Sequence, residues 1–308
     1  MIKRTLYFGN PAYLSLQNEQ LVIKLPQLEK NESLPKSFKE DNIVTIPVED
    51  IGIVLLDNRQ ITITQGLLAA LTDNNTAILN CNTSHLPQGL MLPMYGHHAY
   101  TEKIKYQIDA SLPLKKNLWQ QTIAAKIKNQ AALLESWGVE VQKMKYWAAS
   151  VRSGDPNNYE ARAAAYFWSA FAVNFKRERF GEPPNNLLNY GYAVLRAVVA
   201  RALVASGCIP ALGIHHRNKY NPFCLADDIM EPYRPFVDNL VISIAEQHED
   251  IEILTPDIKR ELLTVPTIDI EIEKKISPLM VGIQRTTASL MKCFEGEQRK
   301  ILYPELKI

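Results

Sequence analysis

The hydrophobic period changes once along the chain, near residue 100. Before that point apolar residues come in short runs rich in branched side chains: RTLYF, AYLSL, QLVIKL, TIPV, DIGIVLLD, QITIT and TAILNCN. Polar turns separate them, as expected of strands whose pleat buries alternate residues. GLLAALTDN reads as a brief helix among them, and residues 29–42, EKNESLPKSFKEDN, read as a charged surface loop. After the change, LKKNLWQQTIAAKIKNQAALLESWG, EARAAAYFWSAFAVNF and LLNYGYAVLRAVVARALVASG repeat apolar residues at helical spacing. Gly138 and Ser206-Gly207 supply stop signals. KKISPLMVGIQRTTASLMKCFEG reads as one more helix, interrupted at Pro278. The expectation is an α+β chain: a small β-sandwich-like domain over residues 1–98, then a larger all-α domain over 99–308.

A formal net charge of +1 conceals an uneven distribution. Residues 1–100 hold 7 Lys/Arg against 9 Asp/Glu, residues 101–234 hold 18 against 11, and residues 235–308 hold 9 against 13. A basic central block suits a polyanion-binding face, with solvated helix surfaces as the plainer alternative. The four cysteines, Cys81, Cys208, Cys224 and Cys293, form no CxxC pair. That argues against a zinc ribbon or redox dithiol and fits a reducing cytoplasm. No uncharged apolar run long enough to span a bilayer stands out, so the expectation is a soluble, cytoplasmic protein without a membrane partner.

Residues 213–234, GIHHRNKYNPFCLADDIMEPYR, place His215 and His216 before an acidic cluster of Asp227, Asp228 and Glu231. Such side chains are costly to bury without partners. Upstream, Glu160 opens an alanine-rich helix in DPNNYEARAAAYFW. Each has a structural explanation of its own. Asn157-x-x-Glu160 matches a capping box, a lone histidine beside an apolar segment is usually structural, and Pro232 disfavours helical backbone at Glu231. Together, two carboxylates and an imidazole would leave positions open on Mg²⁺ or Mn²⁺ for water and a phosphate oxygen. Arg217, Lys219 and Arg234 flank the acidic residues and could hold phosphates. Competing chemistries lack their parts: there is no GxxxxGK[ST] loop, GxSxG elbow or HExxH helix.

NNYEARAAAYFW, NNLLNYGYAVLR and IPALGIHHRNKYNPFCLADDIMEPYRP resemble the signature segments of the universal CRISPR-associated adaptation integrase, most closely the type II versions. The resemblance extends over most of the chain and implies the same two-part architecture. Carried across, it places the catalytic, metal-binding positions on Glu160, His216 and Glu231. Asp228 becomes a supporting residue or alternate ligand, and His215 has no counterpart. It further implies a homodimer, a small ferredoxin-like adaptation partner completing a heterohexamer, and other type II adaptation proteins as further contacts. The implied substrate is double-stranded DNA, both protospacer and CRISPR repeat, with Lys116 and Lys128 among the backbone contacts. The activity implied is metal-dependent DNA cleavage and insertion of short foreign DNA into the CRISPR array. An inert DNA-binding scaffold and a metal-dependent RNase or phosphoesterase are the alternatives.

Overall fold

A computed structural model of the chain describes residues 2–31, 33–171, 175–178 and 180–307. The chain divides after Met94 into two compact units.

The first unit contains β1 (Arg4–Phe8), β2 (Ala12–Gln17), β3 (Gln20–Lys24), α1 (Pro26–Glu29), α2 (Lys36–Asp41) and β4 (Val44–Pro47). It continues with β5 (Ile51–Leu56), β6 (Ile61–Ile63), α3 (Gln65–Asp73), β7 (Ala77–Cys81) and β8 (Pro87–Met91). Two four-stranded sheets result, ordered β1-β5-β7-β8 and β4-β3-β2-β6. Both are mixed, not the antiparallel layers of a simple sandwich: β5 runs parallel to β1 and β7, and β6 runs parallel to β2. A parallel β5–β7 pair needs a crossover, which β6 and α3 provide. Leu14, Leu21, Ile51, Val54, Leu67 and Leu71 belong to one buried cluster, so both sheets and α3 share a core. Residues 29–42, expected as loop, contain α2.

The second unit begins with α4 (Tyr100–Asp109), α5 (Leu112–Ser136), α6 (Gln142–Ser150), α7 (Tyr159–Phe171) and α8 (Asn185–Ala205). After a loop come α9 (Cys224–Met230), a 3₁₀ turn (Glu231–Tyr233), α10 (Arg234–Gln247) and α11 (Pro256–Leu262). The all-α expectation then fails. β9 (Asp269–Ile272) and β10 (Lys275–Pro278) form an antiparallel hairpin before α12 (Leu279–Glu295). Its turn puts Glu273 (φ 52°) and Lys274 (φ 62°) in the left-handed region, a geometry usually announced by Asn-Gly. Pro278 closes the hairpin and precedes the first turn of α12 instead of interrupting a helix.

α8 is long and apolar enough to cross a membrane, but 83% of that apolar stretch is buried within the protein. It is the core helix of this unit, against which α9, α10 and α12 pack. Gly191 permits the close approach of α10, since a Cβ there would lie 2.6 Å from Val237 Cγ1. Gly191→Val should therefore destabilise the protein by about 1–3 kcal/mol through overpacking, as measured by urea denaturation. An unchanged midpoint would show that α8 and α10 separate freely.

Candidate functional site

Four segments of the second unit converge on one helix, α5. Ser111 caps it, its Oγ accepting the Leu114 N–H at 3.4 Å, and the helix runs 25 residues to Ser136. Trp119, Ile123 and Lys126 fall on its inward face, at the spacing of successive helical turns, and all three are buried.

The start of α7 is organised by Asp155. This residue sits in the left-handed region (φ 48°), and its carboxylate accepts the N–H groups of Tyr159 (3.0 Å) and Glu160 (2.9 Å). The Gly154 N–H bonds Lys116 O at 2.9 Å, fastening this turn to α5. The capping box expected of Asn157 and Glu160 is thus replaced by Asp155. Freed from capping, the Glu160 side chain accepts a hydrogen bond from Lys126 Nζ at 2.9 Å.

The loop from Gly213 to His216 is shaped around Asp228, which is fully buried. Its two oxygens accept the His215 N–H (2.9 Å), the His216 N–H (3.2 Å) and His216 Nδ1 (2.5 Å). Gly213 makes this wrap possible, because a Cβ there would meet His216 O at 2.4 Å and Asp228 Oδ2 at 2.8 Å. These three bonds suit the supporting role considered for Asp228. The neighbouring Asp227 is engaged as well, by Arg196 Nε (2.7 Å) and Asn221 Nδ2 (2.6 Å). The His215 ring takes no part in these bonds and stacks on Trp119, with centroids 4.0 Å apart and planes within 1°.

Glu231 takes helical backbone despite Pro232 (φ −51°, ψ −46°). The 3₁₀ turn places proline at its first positions, where no donor is needed. The carboxylate is buried between two cations: Oε1 pairs with Arg234 at 2.9 Å and Oε2 lies 2.6 Å from Lys126 Nζ. The second contact is an ion pair out of hydrogen-bond alignment, leaving Oε2 buried without a hydrogen bond. Arg234 is held in turn over the Tyr192 ring at 4.8 Å, and the Tyr192 hydroxyl donates to buried Asp238.

The electrostatics follow from these contacts. Burial would raise the Glu231 carboxyl, but Arg234 and Lys126 overcome it and hold the group below its ordinary range. The hydrogen bond to Asp228 raises His216 against the effect of burial, with the charges of Asp228, Glu231 and Glu160 adding to it. His215 is lowered, first by burial and then by His216. The two adjacent imidazoles are therefore driven apart: the stacked one is pushed down, the one on Asp228 up.

His216, Arg217, Lys219 and Lys115 border a cleft of about 720 Å³. Among the described residues, no trio of His, Cys, Asp or Glu side chains stands ready to hold a metal ion. At the carboxylates, the Lys126 ammonium lies between Glu160 and Glu231.

A family model described as CRISPR associated protein Cas1 matches residues 6–252. A CRISPR-associated endonuclease Cas1 from Neisseria meningitidis serogroup C (strain 8013) is 39% identical over 99% of this chain and 97% of its own length. The chain belongs to the Cas1 family. Solved structures share its fold at low identity. One is a casposase bound to integration product (TM-score 0.78, 19% identity, covering 100% of this chain and 95% of that one). Another is a Cas6-RT-Cas1–Cas2 complex (TM-score 0.74, 19% identity, covering 99% of this chain and 36% of that one).

In this Cas1-family chain, Glu160 and Glu231 meet at Lys126, and His216 stands close enough for both charges to act on it. Arg217 and Lys219 are exposed at the cleft, and Lys116 is exposed near the start of α5. Lys128 borders a different hollow, with Glu135 and Lys145. Arg234, expected to hold a phosphate, has its guanidinium on Glu231 and over the Tyr192 ring. Sequence reasoning missed Lys126, Trp119 and Asp155 as site residues. For Lys126 the signal was present: a lysine seven residues after Trp119 falls on the apolar face.

Asp155→Ala should cost about 0.5–2 kcal/mol, the loss expected of a helix cap. Glu160→Ala should cost less in the same thermal melts, and the reverse order would restore Glu160 as the cap. The His216 shift carries a sign. A raised folded-state pKa contributes stability below about pH 6.5 that fades as pH climbs through the folded value. In EDTA, the His216 NMR titration midpoint should lie above the ordinary imidazole value and fall in Asp228→Asn. An unmoved midpoint would remove Asp228 as the cause.

Proposed function

We propose that this chain is a divalent-metal-dependent DNA endonuclease and integrase of CRISPR adaptation, acting on double-stranded DNA. The observation that carries the reading is the convergence of Glu160 and Glu231, from separate segments, beside His216. The whole-length likeness to a named endonuclease supports it, as does the fold shared with a casposase bound to integration product.

The donor set fits Mg²⁺ or Mn²⁺. Glu231 Oε2 is a buried oxygen without a hydrogen bond. His216 spends Nδ1 on Asp228, the carboxylate–histidine arrangement that orients metal-ligating imidazoles. Glu160, His216 and Glu231 would hold the ion, which would supply Lewis-acid polarisation of a phosphoryl oxygen. In the reaction a DNA 3′-hydroxyl attacks a repeat phosphodiester. A new P–O bond forms as the bond to the displaced 3′-oxygen breaks; the attacking hydroxyl gives up one proton and the displaced oxygen takes one up. Water in place of the hydroxyl gives cleavage. Asp228 orients His216, while Arg234 holds Glu231 ionised. Arg217, Lys219 and Lys115 stand where they can engage DNA phosphates along the cleft, with arginine suited to bidentate contact. The first unit would serve dimerisation and partner contacts, and the partner would be a small adaptation protein comparable to Cas2 in the complex described above.

Glu160→Ala, His216→Ala and Glu231→Ala should each abolish Mn²⁺-dependent strand transfer on branched DNA while the proteins remain folded. His215→Ala should be milder than His216→Ala. Full turnover by a folded Glu160→Ala protein would end the assignment. On duplex DNA, log affinity should fall with log salt by roughly 0.9 per phosphate neutralised. Arg217→Ala and Lys219→Ala should each reduce that slope by about one, and a slope that is flat in the wild type would move DNA recognition off this face.

A further inference from the structure

Lys126 is a buried cation that the proposed reaction does not use. Its ammonium is 2.9 Å from Glu160 Oε1 and 2.6 Å from Glu231 Oε2, and its side chain is only 9% exposed. Burying an ammonium is unfavourable unless charge and hydrogen bonds compensate it. Among the described residues, the anions paired with it are the two carboxylates assigned to the metal. With Arg234 on Glu231 Oε1, two negative and two positive charges already balance within the cluster. A divalent ion entering it makes the cluster net positive, at a cost that grows as solvent is excluded.

We propose that Lys126 is a resident cation that holds Glu160 and Glu231 together before the divalent ion arrives and competes with it for both carboxylates. This rests on the metal reading above. Two observations set Lys126 apart from an ordinary structural lysine. It bridges residues from two segments, α7 and the 3₁₀ turn, instead of pairing along its own helix. It also sits on the Glu231 oxygen left after Arg234 takes Oε1, the oxygen a divalent ion would need. Lys126 is thus a positioning residue. It prevents the glutamates from repelling each other when no metal is bound, and it keeps metal affinity low on the DNA-free protein.

The test uses the full-length chain without DNA, so that catalysis does not enter. Mn²⁺ affinity is measured by calorimetry, and melting temperature is measured in EDTA and at saturating Mn²⁺. Lys126→Met should melt about 10 °C below wild type in EDTA, bind Mn²⁺ roughly tenfold more tightly, and regain most of the lost stability once metal is bound. Lys126→Arg, which keeps the charge, should bind Mn²⁺ like the wild type. If Lys126→Met is insoluble without metal, Lys126→Gln, neutral but still able to donate to Glu160, carries the same comparison. Variants that bind Mn²⁺ no more tightly than a metal-binding wild type would overturn the competition and leave the metal reading standing. A wild type that binds no Mn²⁺ would overturn the metal reading itself.

Discussion

The Lys126 ammonium between Glu160 and Glu231 is the contact on which the arrangement of this site depends. Two carboxylates arriving from different segments repel each other, and neither segment alone would fix their separation. A cation planted on the inward face of a 25-residue helix does so, because α5 is rigid and its neighbours are packed. Glu160 opens α7 and Glu231 opens a 3₁₀ turn, one before and one after the core helix α8 in the chain. Their placement therefore depends on where α5 carries its charge.

The rest of the site reads as support for that convergence. Asp155 caps α7 so that Glu160 need not. Asp228 folds the histidine loop around itself and fixes one ring nitrogen of His216, leaving the other for chemistry. Tyr192 and Asp238 brace Arg234, which keeps Glu231 ionised at a depth where burial alone would neutralise it. Buried polar clusters of this kind are stable only when nearly every member has a partner. The exceptions among the described residues include Glu231 Oε2 and Arg234 Nε, both at the centre of the proposed chemistry.

Much of the fold was legible because periodicity is written locally. Seven strands, α3 and the helices α5, α7 and α8 follow directly from spacing and stop signals. The β9–β10 hairpin was not, since Glu273-Lys274 adopts left-handed backbone without the glycine or asparagine that would announce it. The parallel pairings of the first unit were not legible either, because alternation marks a strand but does not name its neighbour. Within the site, residue types and the family resemblance pointed to Glu160, His216 and Glu231. The partners that decide how these residues behave lie far away in sequence: Lys126 is 34 residues from Glu160 and Asp228 is 12 from His216. Arg234 shows the same limit, since its place beside acidic residues suggested a phosphate while the carboxylate and ring it rests on were not legible.

The central claim is that Glu160, His216 and Glu231 form one metal centre. Crystals soaked in Mn²⁺ and measured at a wavelength where manganese scatters anomalously test it most directly. The account predicts an anomalous peak within bonding distance of Glu231 Oε2, a Glu160 carboxylate oxygen and His216 Nε2, with Asp228 still on Nδ1. A peak bound elsewhere, or no peak at saturating Mn²⁺ with Lys126 still joining the two glutamates, would contradict it.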